Sequence, residues 1–382
     1  QNSIIALKYY QNVGAFLSPT AVGTDRRADK LRDCLLRMKK ERGFIMKKRL
    51  LAMLMTGAMV ASLAACGGGS STPPTDDKTG GDTAQSGSGC SVDVILKTTA
   101  SEYWSYVKAG AEAYSKDNPD VKVEVKGATS ETAYDEQQNM IETDLNSGAY
   151  DAFVIAPLQA DLVKTLIAGQ TAPIVAVDTN IDAPEVLSFV GTGNEDAAAE
   201  GGKAAVEAAK AAGWDKVQAI AISGVQGDGT ATARLTGYEK GVTEAGGEFL
   251  KDEIQYADAV ADKAATSMEA IMQNHPEGVA IIVCNNDDMA MAAARAAKGN
   301  AAYAKTIFVG FDGIQSACNA ILAGEETMSV AQEAYDMGYK AVEAAVKAVN
   351  GETLEKFIDS GCSVVTKDNA QERLDKLKGY IG

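Results

Sequence analysis

The sequence predicts an α/β chain folded as two doubly wound parallel-sheet lobes. Three observations carry that expectation. From Ser91 onward, short apolar runs alternate with helical stretches almost without interruption. The runs lack the in-out alternation of a half-exposed sheet, as strands buried on both faces do. The alternation also restarts near Glu195, giving two series of similar length. Each series can wind a parallel sheet with right-handed crossovers.

The first series opens with a strand over 92–96. A helix over 103–117 follows, with Trp104, Val107, Ala111 and Tyr114 on one face at helical spacing. A strand over 121–125 and a helix over 132–147 come next. Residues 152–155 form an apolar strand ending near Pro157, before a helix over 160–168. Strands over 174–177, ending in Asp178, and 186–190 complete the series.

The second series starts with an Ala-rich helix over 195–212, stopped by Gly213. A strand over 217–222, a helix over 230–245 and a strand over 249–254 follow. A helix over 261–274 leads to a strand over 279–283 and a helix over 287–297. The strand over 307–311 ends in Asp312-Gly313. A strand over 328–331, a long helix over 335–349 and a last strand over 363–366 finish the chain. Ligands of such sheets bind beyond the carboxyl ends of the strands, where Asp178, Asn286 and Asp312 stand. No junction carries GxGxxG or a phosphate loop, so no nucleotide cofactor is expected.

Upstream, Met46-Lys47-Lys48-Arg49 precedes an apolar run over 50–63 that closes in Leu63-Ala64-Ala65-Cys66. Such a run falls short of the roughly 20 residues a spanning helix needs, and reads as a cleaved signal. It resembles a bacterial lipoprotein signal (46–66), whose cysteine is lipidated, so Cys66 is the expected anchor to the membrane. Residues 67–90 are mostly Gly, Ser, Thr, Pro, Asp and Lys, a tether too polar to fold. Translation is expected to start at Met46, with 1–45 an untranslated or disordered leader. Lys40-Glu41-Arg42-Gly43 can be encoded by a purine-rich run of the ribosome-binding kind.

Residues 1–66 hold 12 Lys/Arg and 4 Asp/Glu, which leaves 24 basic and 48 acidic side chains beyond them, a formal charge of −24. So acidic a surface argues against nucleic acid as a partner. Cys90, Cys284, Cys318 and Cys362 show no metal-ligand spacing and cannot be paired from sequence, so isolated thiols are expected, with one disulfide as the alternative. The only histidine, His275, sits in Asn274-His275-Pro276 and reads as a helix end. Hydrolytic constellations mostly need a histidine or a partnered nucleophile, so no enzyme is expected.

Several motifs stand in a fixed order: Tyr103-Trp104 after the first strand, the strand ending in Asp178, and Arg234-Leu235-Thr236-Gly237-Tyr238. Asn285-Asn286-Asp287-Asp288-Met289-Ala290, Gly310-Phe311-Asp312-Gly313 and Ala331-Gln332 follow. With these, residues 91–367 resemble the type I periplasmic sugar-binding proteins, close in pattern to ribose-binding proteins. The resemblance implies two lobes joined by a three-strand hinge, crossed near Thr192-Gly193, Gln332-Glu333 and Gly361-Cys362. Lobe one is then 91–192 plus 333–361, and lobe two 193–332 plus 362–379. It implies that Tyr103 and Trp104 flank a sugar ring while Asp178, Arg234, Asn286, Asp312 and Gln332 bind its hydroxyls. Carboxylates, amides and guanidinium groups suit vicinal hydroxyls, and an aromatic face suits the C–H side of the ring.

The sequence departs from that pattern in places. Thr179 stands where ribose binders carry arginine, Ala156 where the family has asparagine, and only Tyr256 is near the second-lobe aromatic. Lys97 and Ser101 occupy first-loop positions that often contact ligand, with Glu102 between Ser101 and the aromatics. The ligand class therefore stays open among other pentoses, hexoses and different small polar ligands. The resemblance further implies a monomer working outside the cytoplasm, with an ABC permease and its ATPase as partners. A sensor lipoprotein that presents ligand to a chemoreceptor or kinase is the alternative.

Overall fold

The computed structural model describes residues 89–381. The expected leader, the signal with Cys66, and the tether up to residue 88 lie outside the described residues. Cys90, read as the tether's end, is instead the first residue of a strand.

The first sheet contains β1 (Cys90–Thr98), β2 (Val121–Ala128), β3 (Ala152–Ile155), β4 (Ile174–Val177), β5 (Val186–Gly191) and β12 (Phe357–Asp359). All are parallel, in the order β12-β5-β4-β3-β1-β2. The second contains β6 (Gln218–Ser223), β7 (Glu248–Phe249), β8 (Gln255–Tyr256), β9 (Ile281–Cys284), β10 (Ile307–Asp312), β11 (Met328–Gln332) and β13 (Cys362–Val365). Its order is β13-β11-β10-β9-β6-β7, with β8 also on β6. The central strands β3, β4, β9 and β10 are buried along their whole length, which explains their unbroken apolar runs.

Helices cover both faces of each sheet. On the first lie α1 (Glu102–Asp117), α2 (Tyr134–Leu145), α3 (Ala160–Leu166) and α9 (Ala334–Val349). On the second lie α4 (Asn194–Ala211), α5 (Gly229–Glu244), α6 (Ala261–Asn274) and α7 (Asp287–Ala297). Two further helices, α8 (Gln315–Ala323) and α10 (Ala370–Ile381), pack on one another, and α10 also meets α1.

Two expectations are corrected and three elements are added. The strand expected over 249–254 is two short pairings, β7 and β8, separated by a 3-10 turn over Lys251–Glu253. The last strand, β13, runs antiparallel to β11, with Gln332 opposite Cys362. The helices α8 and α10 and the edge strand β12 had no counterpart in the sequence reading. His275 does cap the end of α6, as read, and the four cysteines within the described residues are free.

The chain passes from the first sheet to the second at residues 192–193, returns at Glu333, and passes again at 360–361. Side chains knit these passages together. The hydroxyls of Thr192 and Ser360 lie 3.3 Å apart. Arg373 of α10 donates to Glu333 Oε1 at 2.9 Å, to the Gln332 carbonyl at 2.5 Å and to the Gly313 carbonyl at 3.1 Å.

Close helix contacts fix the elements that carry the site. A Cβ on Gly338 of α9 would lie 1.9 Å from the Val107 carbonyl of α1, and one on Gly237 of α5 only 2.1 Å from the Glu195 carbonyl of α4. Only glycine permits either approach. The first pair sets where α1 presents Tyr103 and Trp104; the second sets α5 and its Arg234.

Candidate ligand-binding site

Asp178 follows β4 and Asp312 ends β10, so the two sheets present carboxylates at equivalent places. Both take a positive φ, 63° and 120° respectively. Such backbone costs roughly 1–3 kcal/mol for a non-glycine residue and persists only where its surroundings hold it. Asp178 is held by the Tyr103 hydroxyl, which donates to Oδ1 at 2.8 Å, and by Thr179 Oγ1, which donates to Oδ2 at 2.9 Å. Asp312 accepts from Gln332 Nε2 at 2.8 Å, with Arg234 Nη2 3.8 Å away.

Tyr103 and Trp104 occupy the first turn of α1, which Ser101 caps by accepting from the Trp104 amide. Their rings meet edge to face, with centroids 5.1 Å apart. The Trp104 indole donates to Glu131 at 3.0 Å. Both rings are buried and both line the same cleft as Asp178.

Arg234 sits one and a half turns into α5, whose N-terminus Asp228 caps through the Ala231 amide. Its Nε donates to Asn194 Oδ1 at 2.9 Å and its Nη1 to the Asn285 carbonyl at 2.7 Å. The guanidinium lies 3.7 Å from the centroid of the Phe311 ring. Two hydrogen bonds and an aromatic face leave it little freedom, which is the preorganisation a polar site needs.

Contacts across the cleft hold the two sheets' loops against each other. Lys97, near the end of β1, reaches Asp228 at 3.3 Å and Asp178 at 3.9 Å. The hydroxyls of Thr179 and Thr230 lie 2.9 Å apart. Glu102 of α1 accepts from the Gln315 amide at 2.7 Å and the Ser316 hydroxyl at 2.5 Å, capping α8 from the other side. The space left between is about 40 Å³, far below the roughly 300 Å³ and more of ordinary small-ligand pockets. A sugar-sized molecule would fit there only if these contacts parted.

Burial and charge set the ionisation of the site. Burial pushes the Asp312 carboxyl well above its usual range, with Arg234 pulling it back and Asp287 pushing it further. Burial acts to lower Lys97, but Asp228, Asp178 and Glu131 outweigh it and hold the ammonium above its ordinary pKa. Burial likewise acts to raise Asp228, and Lys97, the Ala231 amide and Arg234 together outweigh it, leaving that carboxyl lowered. Behind the cleft, Asp287 accepts from the Ile314 amide at 3.0 Å and the Ser329 hydroxyl at 2.5 Å. Burial pushes it up to about 7.

Of the residues singled out in the sequence, Tyr103, Trp104, Asp178, Arg234, Asn286 and Asp312 line one cavity. Asn286 also caps α7 by accepting from the Met289 amide at 3.0 Å. Gln332 does not line it; its side chain is buried behind Asp312 and orients that carboxylate. Lys97 lines the cavity, whereas Ser101 is occupied as a helix cap. Tyr256 stays exposed and Ala259 takes the nearby place in the cleft. Sequence reasoning missed Glu131, Asp228, Thr230 and Asn285 as lining residues, and Asn194 as the partner of Arg234. Only Asp228 carried a readable signal, as an aspartate placed directly before the helix it caps.

Two wound sheets, three chain passages and a polar cleft at the strand ends define a two-lobed binding protein. A family profile described as "Periplasmic binding protein domain" matches residues 92–353, and the chain belongs to that family. The D-allose-binding periplasmic protein of Escherichia coli (strain K12) is 29% identical over 265 residues, covering 67% of this chain and 83% of that protein. A ribose import binding protein of Salmonella typhimurium is 30% identical over 216 residues, covering 56% and 70%. Among solved structures, a carbohydrate transporter solute-binding protein from Agrobacterium radiobacter in complex with D-arabinose matches with a TM-score of 0.69 and 27% identity. That match covers 77% of this chain and 99% of the other.

Proposed function

We propose that the protein captures a monosaccharide or similar small polyol between its lobes and delivers it to an ABC importer without altering it. One observation carries this reading: Asp178, Arg234, Asn286 and Asp312 converge on a single cavity beside the rings of Tyr103 and Trp104. Hydroxyls both donate and accept, and a cleft that mixes carboxylates, amide and guanidinium with aromatic faces matches them. Relatives named for allose and ribose binding support the ligand class.

The moving parts are lobe one, 91–192 plus 333–361, and lobe two, 193–332 plus 362–379. Ligand bridges them and favours the closed form through contacts available only there. The closed protein then docks on a permease whose ATPase drives import. Cys66 supplies a lipid anchor, the tether gives reach, and the protein works as a monomer outside the cytoplasm. A thermal-shift screen with pentoses, hexoses, inositols and disaccharides tests the reading. A hit that is lost in Asp178→Ala and in Arg234→Ala supports it; a panel without any stabilising polyol contradicts it.

A further inference from the structure

We propose that the preferred ligand carries an amine: an amino sugar or aminocyclitol whose ammonium is met by Glu131. The inference rests on the polyol reading above and narrows its ligand class. It begins with the charges that face the cavity. Besides Asp312, whose carboxyl burial pushes upward, three carboxylates line it, Glu131, Asp178 and Asp228, against two cations, Lys97 and Arg234.

The charged donors and the Tyr103 hydroxyl are already engaged. Lys97 serves Asp228 and Asp178. Arg234 serves Asn194, the Asn285 carbonyl and Asp312. The Tyr103 hydroxyl serves Asp178. Among the described residues, Glu131 is left without an ion-pair partner. Glu131 receives the neutral Trp104 indole N–H at 3.0 Å, and among the described residues no cation lies within 4.0 Å of it. Asn285 Oδ1 is buried in the same lining and accepts nothing. A carboxylate in a narrow cleft, whose only hydrogen-bond partner is neutral and which feels Lys97 only from beyond 4.0 Å, favours a cation over a neutral hydroxyl.

Titration calorimetry at pH 7 with matched sets tests this: D-glucose, D-glucosamine and N-acetyl-D-glucosamine, then the galactose counterparts. The account expects at least one amine to bind ten-fold or more tighter than its neutral parent and than its N-acetyl form. In Glu131→Gln, which keeps the size and an acceptor for the indole, that preference falls to within two-fold. Thermal melts confirm that the variant folds, and the N-acetyl comparison needs no variant. A neutral parent that equals or exceeds its amine in both sets overturns the inference and leaves the polyol reading intact. A preference that survives Glu131→Gln overturns the assignment to Glu131. No binding by any member of either set, together with an empty wider screen, overturns the polyol reading itself.

Discussion

Lys97 Nζ stands 3.3 Å from Asp228 Oδ2, an ion pair that spans the cleft from the end of β1 to the cap of α5. Both groups are largely buried, so neither finds ready replacement in water when the other is removed. Losing one partner of such a pair typically costs about 3–5 kcal/mol, mainly through the charge left behind. Lys97→Met should therefore shift the lobes toward the open form. Small-angle scattering is expected to give a larger radius of gyration for the variant than for the parent, without ligand. An unchanged radius would show that the pair does not govern closure.

Asp178 offers a separation of stability from binding. Its φ of 63° is strained for aspartate and ordinary for glycine. Asp178→Gly should be more stable than Asp178→Ala by about 1 kcal/mol or more, while both lose ligand binding. Chemical denaturation ranks the stabilities and calorimetry reads the binding. Equal stability of the two variants would mean the backbone there carries no strain.

Arg234 is held by its planar geometry as much as by its charge. Lysine keeps the charge but cannot donate to Asn194 and the Asn285 carbonyl together while covering Phe311. Arg234→Lys should weaken ligand binding by about 2–4 kcal/mol, close to the loss in Arg234→Ala. Calorimetry that finds lysine within three-fold of the parent contradicts the positioning role.

The sequence made the inner architecture readable because fully buried strands and amphipathic helices leave strong periodic signals. The helix Ala261–Asn274 and the strand Ile174–Val177 stand where their patterns place them. The missed helix α8 has a physical reason. Ile314 precedes it and offers no side-chain cap, because the cap comes from Glu102, far away in sequence and across the cleft. The C-terminal helix α10 buries only Ala370, Arg373, Leu374 and Leu377, too thin a stripe to stand out among its charges. In the site, Asp178, Asn286 and Asp312 were legible as strand-end residues. Glu131 was not, since it lies in the polar loop after β2 and owes its place to Trp104.

Asp287 predicts a pH dependence. Burial pushes its folded carboxyl up to about 7 from the ordinary 3.8, so the folded state binds more protons than the unfolded one between those values. Its contribution to stability is present in full below about pH 4 and is lost as pH rises through 7. The difference in unfolding free energy between parent and Asp287→Asn should therefore move against the parent from pH 4 to pH 7 and level off above. Denaturant titrations across that range check it. A difference independent of pH would mean that Asp287 is ionised throughout.

The most direct measurement is a crystal structure of the protein with a polyol from the screen bound. Ligand hydroxyls are predicted within hydrogen-bond distance of Asp178, Arg234, Asn286 and Asp312, with the ring against Tyr103 and Trp104. A ligand seated elsewhere on the molecule, with those four side chains untouched, contradicts the account.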